Sequence, residues 1–223
     1  LSGQAGAECM SDGSCGRELE CRGPGGEAAA VVLAVARAEQ RLVDVDRARA
    51  QRALDVGGRV FPRERLWVPV QAPTLLAAGD ELSAAARSSG APAVVFALTE
   101  NEFVGLPTAV RERVQALAAH GVELCVADVG AGRGSVDSLI VLEPQWVRIA
   151  SNLVQGCDRD EARRRQLERL CVLVRSLGAR LIADGVSSDG ELAVVRDLGC
   201  AAAQGPRFGG HVEVRAEPHA EGA

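Results

Sequence analysis

The feature that most constrains the fold is an alternation of strand-like and helical segments. From residue 65 onward, short runs of β-branched residues alternate with longer stretches of helical character. The strand-like runs cover 65–71, 92–98, 122–128, 146–150, 179–184 and 200–205, and the helical stretches cover 74–90, 107–121, 160–178 and 188–199. Strands separated by helices form βαβ units, whose parallel sheet is buried on both faces. The pattern therefore predicts an α/β protein, either a barrel or a doubly wound sheet.

The domain organisation predicted from this alternation is simple. A chain of 223 residues is long enough for one α/β barrel, which takes roughly 250 residues. No linker interrupts residues 16–209, so we predict one barrel domain there. Residues 1–15 are expected to be a poorly ordered N-terminal segment, and 210–223 a C-terminal tail.

Charge and composition exclude several classes of function. The formal net charge is −5, so no basic surface predicts nucleic-acid binding. The sequence contains no lysine, which excludes a Walker lysine and a Schiff base. The apolar run at 28–36 is far shorter than the ~20 residues of a membrane span. We therefore expect a cytoplasmic protein without a membrane segment.

The cysteines do not predict a metal site. There are seven, an odd number, and the three nearest the N-terminus have the spacing C-x5-C-x5-C, which matches no common zinc motif. Cys125, Cys171 and Cys200 lie in apolar runs, where a free cysteine acts as a small hydrophobic residue.

Candidate functional residues follow from the fold class. In barrels and doubly wound sheets, functional side chains lie at the carboxyl ends of the strands. The residues at or just after predicted strand ends are Thr99, Glu100, Asp128, Arg148 to Ser151, Asp184 and Gln204.

The glycine-rich segment VADVGAGRGS (126–135) raises the alternative of a dinucleotide-binding loop. That fold requires an acidic residue about 20 positions downstream, at the next strand. The sequence offers only Glu143, which precedes the predicted strand. The segment therefore argues against a dinucleotide fold.

Six segments, in order and spacing, resemble the EAL domain, a barrel whose active members hydrolyse cyclic di-GMP with two divalent metal ions. They are GRELECRGPGG (16–26), ALTE (97–100), VADVGAGRGSVDSL (126–139), WVRIASNLV (146–154), LIADGVSS (181–188) and AAQGPRFG (202–209). The resemblance implies a (βα)8 TIM-like barrel. It also implies that the chain begins inside or just after the family's first strand.

Several ligand-binding positions of the family are retained. The resemblance assigns Glu18 as the metal-binding glutamate of the first segment, and Arg22 as a contact to the ligand phosphate. Asp128 corresponds to the second aspartate of the double-aspartate loop. Glu100 corresponds to a glutamate linked to loop positioning, and Gln204 to the C-terminal glutamine.

Three metal-ligand positions of the family are lost. The resemblance places Pro69, Ala97 and Ala127 where the family has an asparagine, a glutamate and the metal-bridging aspartate. None of these three side chains has an oxygen atom. Ala150 and Ser187 likewise replace acidic residues. We therefore expect no functional metal site and no cofactor.

The catalytic positions are also altered. The resemblance places Arg148 at a lysine position, and an arginine is planar and bulkier than a lysine. Asp184 replaces the general-base glutamate and is one methylene shorter, a loss of reach of roughly 1.3–1.5 Å that can cost about 10²-fold in rate. No residue is therefore expected to be catalytically functional.

The retained residues also have a structural interpretation. Glu18 and Arg22, four positions apart, would form a surface ion pair. Asp128, Asp184 and Arg148 would be structural remnants that compensate one another's charge near the barrel mouth.

The leading hypothesis is an inactive EAL domain that serves as a regulatory or protein-interaction module in cyclic di-GMP signalling. Its partner would be another protein or other domains of a longer chain, and its affinity for cyclic di-GMP would be weak or absent. One alternative is a slow phosphodiesterase using one Mg²⁺ or Mn²⁺ ion on Glu18, Asp128 and Asp184. Another is a cyclic di-GMP receptor without turnover. The resemblance alone suggests a homodimer.

Overall fold

The structure is a computed structural model that describes residues 3–5, 16–23, 25–99, 107–131, 136–209 and 212–214. Its strands are β1 (Gly3–Ala5), β2 (Gly16–Cys21), β3 (Arg65–Pro69), β4 (Val94–Thr99), β5 (Val122–Val129), β6 (Trp146–Ile149), β7 (Arg180–Ala183), β8 (Ala202–Ala203) and β9 (Val212–Val214). Its helices are α1 (Ala29–Ala38), α2 (Leu42–Val60), α3 (Ala72–Ser88), α4 (Pro107–Ala118), α5 (Val136–Leu142), α6 (Ser151–Val154), α7 (Glu161–Ser176) and α8 (Asp189–Asp197).

Within the described residues, nine strands form one sheet in the order β8-β7-β6-β5-β4-β3-β2-β1-β9. Strands β2 to β8 are parallel to one another, whereas β1 pairs antiparallel with both β2 and β9. The predicted parallel α/β architecture is confirmed. Strands β1 and β9 lie within residues 1–15 and 210–223, the two segments expected to be loosely ordered. The other residues of these two segments fall outside the described part of the chain.

The sheet is strongly curved. Glu18 on β2 and Arg148 on β6 are four strands apart, which would separate them by about 19 Å in a flat sheet. Their side chains are instead 2.7 Å apart. The rings of Trp67 on β3 and Trp146 on β6 also meet, with centroids 5.0 Å apart. The barrel interpretation is therefore confirmed, and the doubly wound alternative is wrong.

Alternation along the strands divides the core into an inner and an outer layer. On β4, Val95 and Ala97 pack inside the barrel, whereas Val94, Phe96 and Leu98 pack against the helices. The inner layer comprises Trp67, Val95, Ala97, Cys125, Trp146, Ile182 and Ala202. The two tryptophans fill its centre in an edge-to-face arrangement, which is the favourable geometry for aromatic pairs.

A polar cluster closes the end of the barrel where the strands begin. The Glu123 carboxylate accepts hydrogen bonds from Trp146 Nε1 and Arg180 Nη2, each at 2.8 Å. The Arg180 guanidinium also lies 3.7 Å from the centroid of the Trp146 ring, and Arg65 Nε is 3.4 Å from Glu123. We call Arg65, Glu123, Trp146 and Arg180 the floor cluster. It leaves the opposite end, where the strands finish, as the place for a site.

The helices surround the sheet, and their ends are fixed by local hydrogen bonds. Asp160 caps α7 by accepting from the backbone N–H groups of Ala162 and Arg163. Ser188 and Glu191 form a reciprocal capping box at the start of α8. None of the helices in the described part of the chain combines the length and apolarity needed to cross a bilayer.

Candidate functional site

The parallel strands bring the predicted site residues to one end of the barrel, which we call the mouth. Most of them lie at or just after the end of a strand, as expected for this architecture, whereas Glu18 is the third of the six residues of β2. The mouth residues are Glu18 from β2, Pro69 from β3, Ala97 from β4, Ala127 and Asp128 from β5, Arg148 from β6, Asp184 after β7 and Gln204 after β8. Glu100, also predicted for this site, lies outside the described residues.

A partly buried ion pair crosses the mouth. Arg148 Nη1 donates to Glu18 Oε1 at 2.7 Å, and the two side chains are only 13% and 17% exposed. Burial opposes the charge on Arg148, but Glu18 and Asp184 outweigh it, so the pKa of this guanidinium is raised above its usual value. Arg148 therefore stays positively charged at every physiological pH.

The predicted surface ion pair between Glu18 and Arg22 is wrong. Glu18 points into the barrel toward Arg148, whereas Arg22 Nη1 donates to the carbonyl of Gly26 at 3.3 Å. Residues four apart on a strand are about 13 Å apart along the chain, so they do not meet as they would on a helix. The Nε of Arg22 is buried without a hydrogen-bond partner among the described residues.

Strand β5 carries a bulge at the mouth. Its pairing with β6 shifts register between Val126 and Val129, and Asp128 adopts a left-handed conformation with φ of 59°. Bulges of this kind re-aim side chains next to functional sites. At the bulge, the side chains of two neighbouring residues differ in burial: Ala127 is fully buried, and Asp128 is half-buried.

One wall of the mouth lacks oxygen donors on its side chains. Pro69 on β3 is in register with Ala97 on β4, and Ala127 lies on the next strand, opposite Thr99. Ala97 and Ala127 are 4% and 1% exposed, so their methyl groups pack into the protein. The three lost ligand positions are thus on three consecutive strands. Of the charged mouth residues, Asp128 shares β5 with Ala127, and the others lie on or after different strands.

The carboxylate of Asp184 is held by Gln204. Gln204 Nε2 donates to Asp184 Oδ1 at 2.8 Å, and the Gln204 backbone N–H donates to Ala183 O at 2.9 Å. Gly185, next in the chain, has φ of 77°, and a Cβ there would lie 2.4 Å from Ser151 Cβ. Only glycine fits this turn, so the position of Asp184 is fixed from both sides.

A carboxylate that was not predicted from the sequence organises the loop after β7. The Glu191 carboxylate accepts from the backbone N–H groups of Gly156 and Ser187, each at 2.7 Å, and from the Ser187 hydroxyl at 2.9 Å. Burial raises the pKa of Glu191, but these donors together lower it below its usual value. The S-x-x-E spacing of Ser188 and Glu191, typical of a capping box, was the available signal.

A second missed network lies behind the mouth, on α2. Asp46 and Arg49 are both buried and form an ion pair of 2.9 Å. Asp46 Oδ2 also accepts from the Gln71 N–H at 2.8 Å, and Arg49 Nε donates to Cys21 O at 3.4 Å. The pair therefore ties α2 to the residues that follow β3 and to the end of β2. Burial raises the pKa of Asp46, against the lowering effect of its hydrogen bonds and of Arg49.

The residues present do not fit a pair of divalent ions. Hard cations need several oxygen ligands, and two neighbouring ions need carboxylates to offset their mutual repulsion. Among the described side chains, no three His, Cys, Asp or Glu groups come close enough together to hold a metal ion. At the mouth, Glu18 is bound to Arg148, and Asp184 is bound to Gln204.

Comparison with known proteins identifies relatives by sequence. The EAL domain family matches residues 26–210. The cyclic di-GMP phosphodiesterase RocR of Pseudomonas aeruginosa is 29% identical over 115 residues, which are 52% of this chain and 29% of RocR. The oxygen sensor protein DosP of Escherichia coli is 27% identical over 111 residues, which are 50% of this chain and 14% of DosP. The matched segment is thus less than a third of either relative.

Solved structures share the fold. BlrP1 of Klebsiella pneumoniae, in complex with manganese and cyclic di-GMP, superimposes with a TM-score of 0.85 at 20% identity, over 95% of this chain and 56% of that chain. A standalone EAL protein of Vibrio cholerae bound to cyclic di-GMP gives a TM-score of 0.81 at 20% identity, over 95% of this chain and 92% of that chain. Likeness at this level of identity establishes the barrel fold.

Proposed function

The chain belongs to the EAL domain family, and on that premise we propose that it is a catalytically inactive member, a regulatory and protein-interaction module in cyclic di-GMP signalling. The observation that carries the proposal is the state of the mouth. Three consecutive strands present Pro69, Ala97 and Ala127 there, and the retained glutamate of β2, Glu18, is already paired with Arg148.

The chemistry of the family explains why this mouth is unsuited to hydrolysis. Structures of related domains hold manganese or calcium together with cyclic di-GMP. Metal-assisted hydrolysis depends on ligands that fix the ions and on a base that reaches the attacking water. In this chain, alanine stands at the position that bridges the ions in the family. The shorter Asp184 has one carboxylate oxygen engaged by Gln204.

The same mouth offers little for tight nucleotide binding. Cyclic di-GMP carries two phosphate charges, and the cations implied by the resemblance are Arg22 and Arg148. Because Arg148 is neutralised by Glu18, its net attraction for a second anion is reduced. Arg22 remains, with its Nε buried and without a partner among the described residues. We expect weak affinity or none, which favours a protein partner as the working contact of this domain.

The partner would be a separate protein or another domain of a longer chain. The matched part of RocR and DosP is a minor fraction of each, so in those proteins the matched region is joined to other sequence. We expect this domain to act in the cytoplasm, where cyclic di-GMP signalling takes place. Affinity purification from the native host, with identification of co-purified proteins, would name the partner.

Catalytic inactivity is tested with purified protein and cyclic di-GMP in the presence of Mg²⁺ or Mn²⁺. With an active EAL phosphodiesterase as positive control, we expect no linear dinucleotide above the protein-free rate at micromolar protein. Measurable turnover would overturn the proposal in favour of a slow phosphodiesterase. Saturable binding without turnover, abolished by Arg22→Ala, would instead identify a cyclic di-GMP receptor.

A further inference from the structure

We infer that Cys171 and Cys200 form a redox-active pair, which hydrogen peroxide converts to a disulfide and small thiols restore. Both are free thiols, one on helix α7 and the other in the segment between α8 and β8. The inference goes beyond the proposed function and does not depend on it, because the pair lies in the core between sheet and helices and not at the mouth.

The first support is the contact between the two thiols. Cys171 and Cys200 share a side-chain hydrogen bond, although they are far apart in the sequence. A neighbouring contact joins the same two segments, since Arg175, one turn after Cys171 on α7, donates from Nη1 to Leu198 O at 2.9 Å. A disulfide needs its two sulfur atoms side by side and its Cβ atoms about 4 Å apart. The thiols therefore start close to the arrangement that a disulfide requires.

The second support is the difference between the two sulfur atoms. The hydrogen bond from Cys200 lowers the pKa of Cys171 below its usual value, against the opposing effect of burial. The same contact, together with burial, raises the pKa of Cys200. Arg175 lies near both thiols and favours negative charge there. Because the thiolate is the nucleophile in cysteine chemistry, Cys171 is the sulfur that reacts first.

The third support is the limited access from solvent, which selects the oxidant. Cys171 is fully buried, whereas Cys200 remains 8% exposed. A bulky or charged oxidant, such as a peptide disulfide, would have to open the core to reach Cys171. Hydrogen peroxide is small and uncharged, so a brief local opening beside Cys200 admits it.

The reaction with peroxide proceeds in two steps. The Cys171 thiolate attacks one peroxide oxygen, the O–O bond breaks, and the departing hydroxide takes up the proton that Cys171 released, which leaves a sulfenic acid and water. The Cys200 sulfur then attacks the sulfenic sulfur, and its own proton leaves with the hydroxyl group as a second water. Two electrons pass from the sulfur atoms to the peroxide oxygens. Two molecules of a small thiol return them and are themselves joined as a disulfide.

The inference is tested by treating the folded, reduced chain with hydrogen peroxide and mapping its disulfides. Trypsin cleaves after arginine, so Cys171 lies in peptide 170–175 and Cys200 in peptide 197–207, each with one cysteine. We expect these peptides to be joined, with the loss of two hydrogen atoms, and to separate after dithiothreitol. Closing a loop of about 30 residues should raise the Tm of the oxidised protein by roughly 5–10 °C, reversibly.

Cys157→Ala is the matched control, because Cys157 lies in the same core cluster and near Cys200. This variant should still join the two peptides and show the rise in Tm, whereas Cys200→Ser should do neither. The inference is wrong if folded wild type keeps the two peptides separate after peroxide, or if either cysteine is joined to a different one. Mapping of wild type decides the question even if Cys200→Ser does not fold. Turnover of cyclic di-GMP by untreated wild type bears only on the proposed function, so the two failures are distinguishable.

Discussion

At the scale of single residues, this barrel shows that neighbouring carboxylates have different roles. Glu18 balances an arginine, Asp184 is held by an amide, and Glu191 gathers backbone N–H groups. The resemblance in sequence located the first two. It could not supply the contact between Glu18 and Arg148, because the residues are 130 positions apart and meet only when the sheet is curved. For Glu191, the local spacing to Ser188 was an available signal, but its contact with Gly156 comes from another loop and could not be predicted.

Glu191→Gln tests the loop-organising role of this carboxylate. The substitution replaces charge-assisted hydrogen bonds to Gly156 and Ser187 by weaker ones, so we expect a loss of about 1–3 kcal/mol in unfolding free energy. Urea unfolding at neutral pH measures it. Glu168→Gln, at an exposed position of α7, is the matched control and should change stability by less than about 0.5 kcal/mol. Equal effects of the two variants would contradict the assigned role.

The pH dependence of stability tests the same residue. Since the pKa of folded Glu191 is lowered, the unfolded chain binds more protons in this range, and stability rises with pH. The contribution of Glu191 is therefore present above the unfolded pKa of about 4.5 and is lost as the pH falls through the lower, folded value. Glu191→Gln should consequently lose less stability than wild type on acidification from neutral pH. If wild type and Glu191→Gln lost the same unfolding free energy on acidification, the pKa of Glu191 would not be lowered in the folded protein.

At the scale of the element, the helices and strands differ in how clearly the sequence predicts them. Strands β3 to β7 and helices α3, α4, α7 and α8 agree with the predicted segments to within a few residues, because apolar runs and helical periodicity both reflect burial. Helix α1 was not predicted, since its AAVVLAVARA sequence is apolar except for Arg37 and leaves Val31 and Val35 exposed. Helix α2 was missed because it buries an ion pair instead of an apolar stripe alone. Strands β1 and β9 have three residues each and exist through pairing.

The buried pair on α2 should matter far more than an exposed one on the same helix. Arg49→Met leaves Asp46 buried and unpaired, so we expect a loss of about 3–5 kcal/mol in unfolding free energy. Asp46→Leu with Arg49→Met should cost less than the sum of the single substitutions. Asp55→Ala, which breaks the exposed pair with Arg59, is the control and should cost about 0–1 kcal/mol. Additive losses at 46 and 49 would show that the pair does not act as a unit.

The bulge in β5 predicts an order of tolerated side chains at position 128. Asp128 has φ of 59°, a conformation that glycine, asparagine and aspartate adopt readily and β-branched residues avoid. Asp128→Gly should therefore stay within about 1 kcal/mol of wild type, and Asp128→Val should lose about 1–3 kcal/mol. Thermal unfolding followed by circular dichroism compares the two. A valine variant as stable as the glycine variant would mean that β5 does not carry this bulge.

At the scale of the whole molecule, the two tryptophans report on the barrel interior. Trp67 and Trp146 lie on β3 and β6 and touch at its centre, so they can separate only when the curved sheet opens. We expect tryptophan fluorescence and far-ultraviolet circular dichroism to give coincident urea transitions, as in a single cooperative domain. Arg163→Ala, on the surface of α7, should leave the coincidence unchanged. If the fluorescence transition had its midpoint at a lower urea concentration than the circular dichroism transition, the barrel interior would open before the helices unfold.

The floor cluster affects the direction from which another molecule can reach the interior of the barrel. With Arg65, Glu123 and Arg180 bound together beneath the tryptophan pair, side chains fill that end of the barrel. We therefore expect a molecule that contacts Arg148 to approach it from the mouth and not from the floor cluster. A protein bound across the mouth would therefore cover Arg148 without contacting the floor cluster.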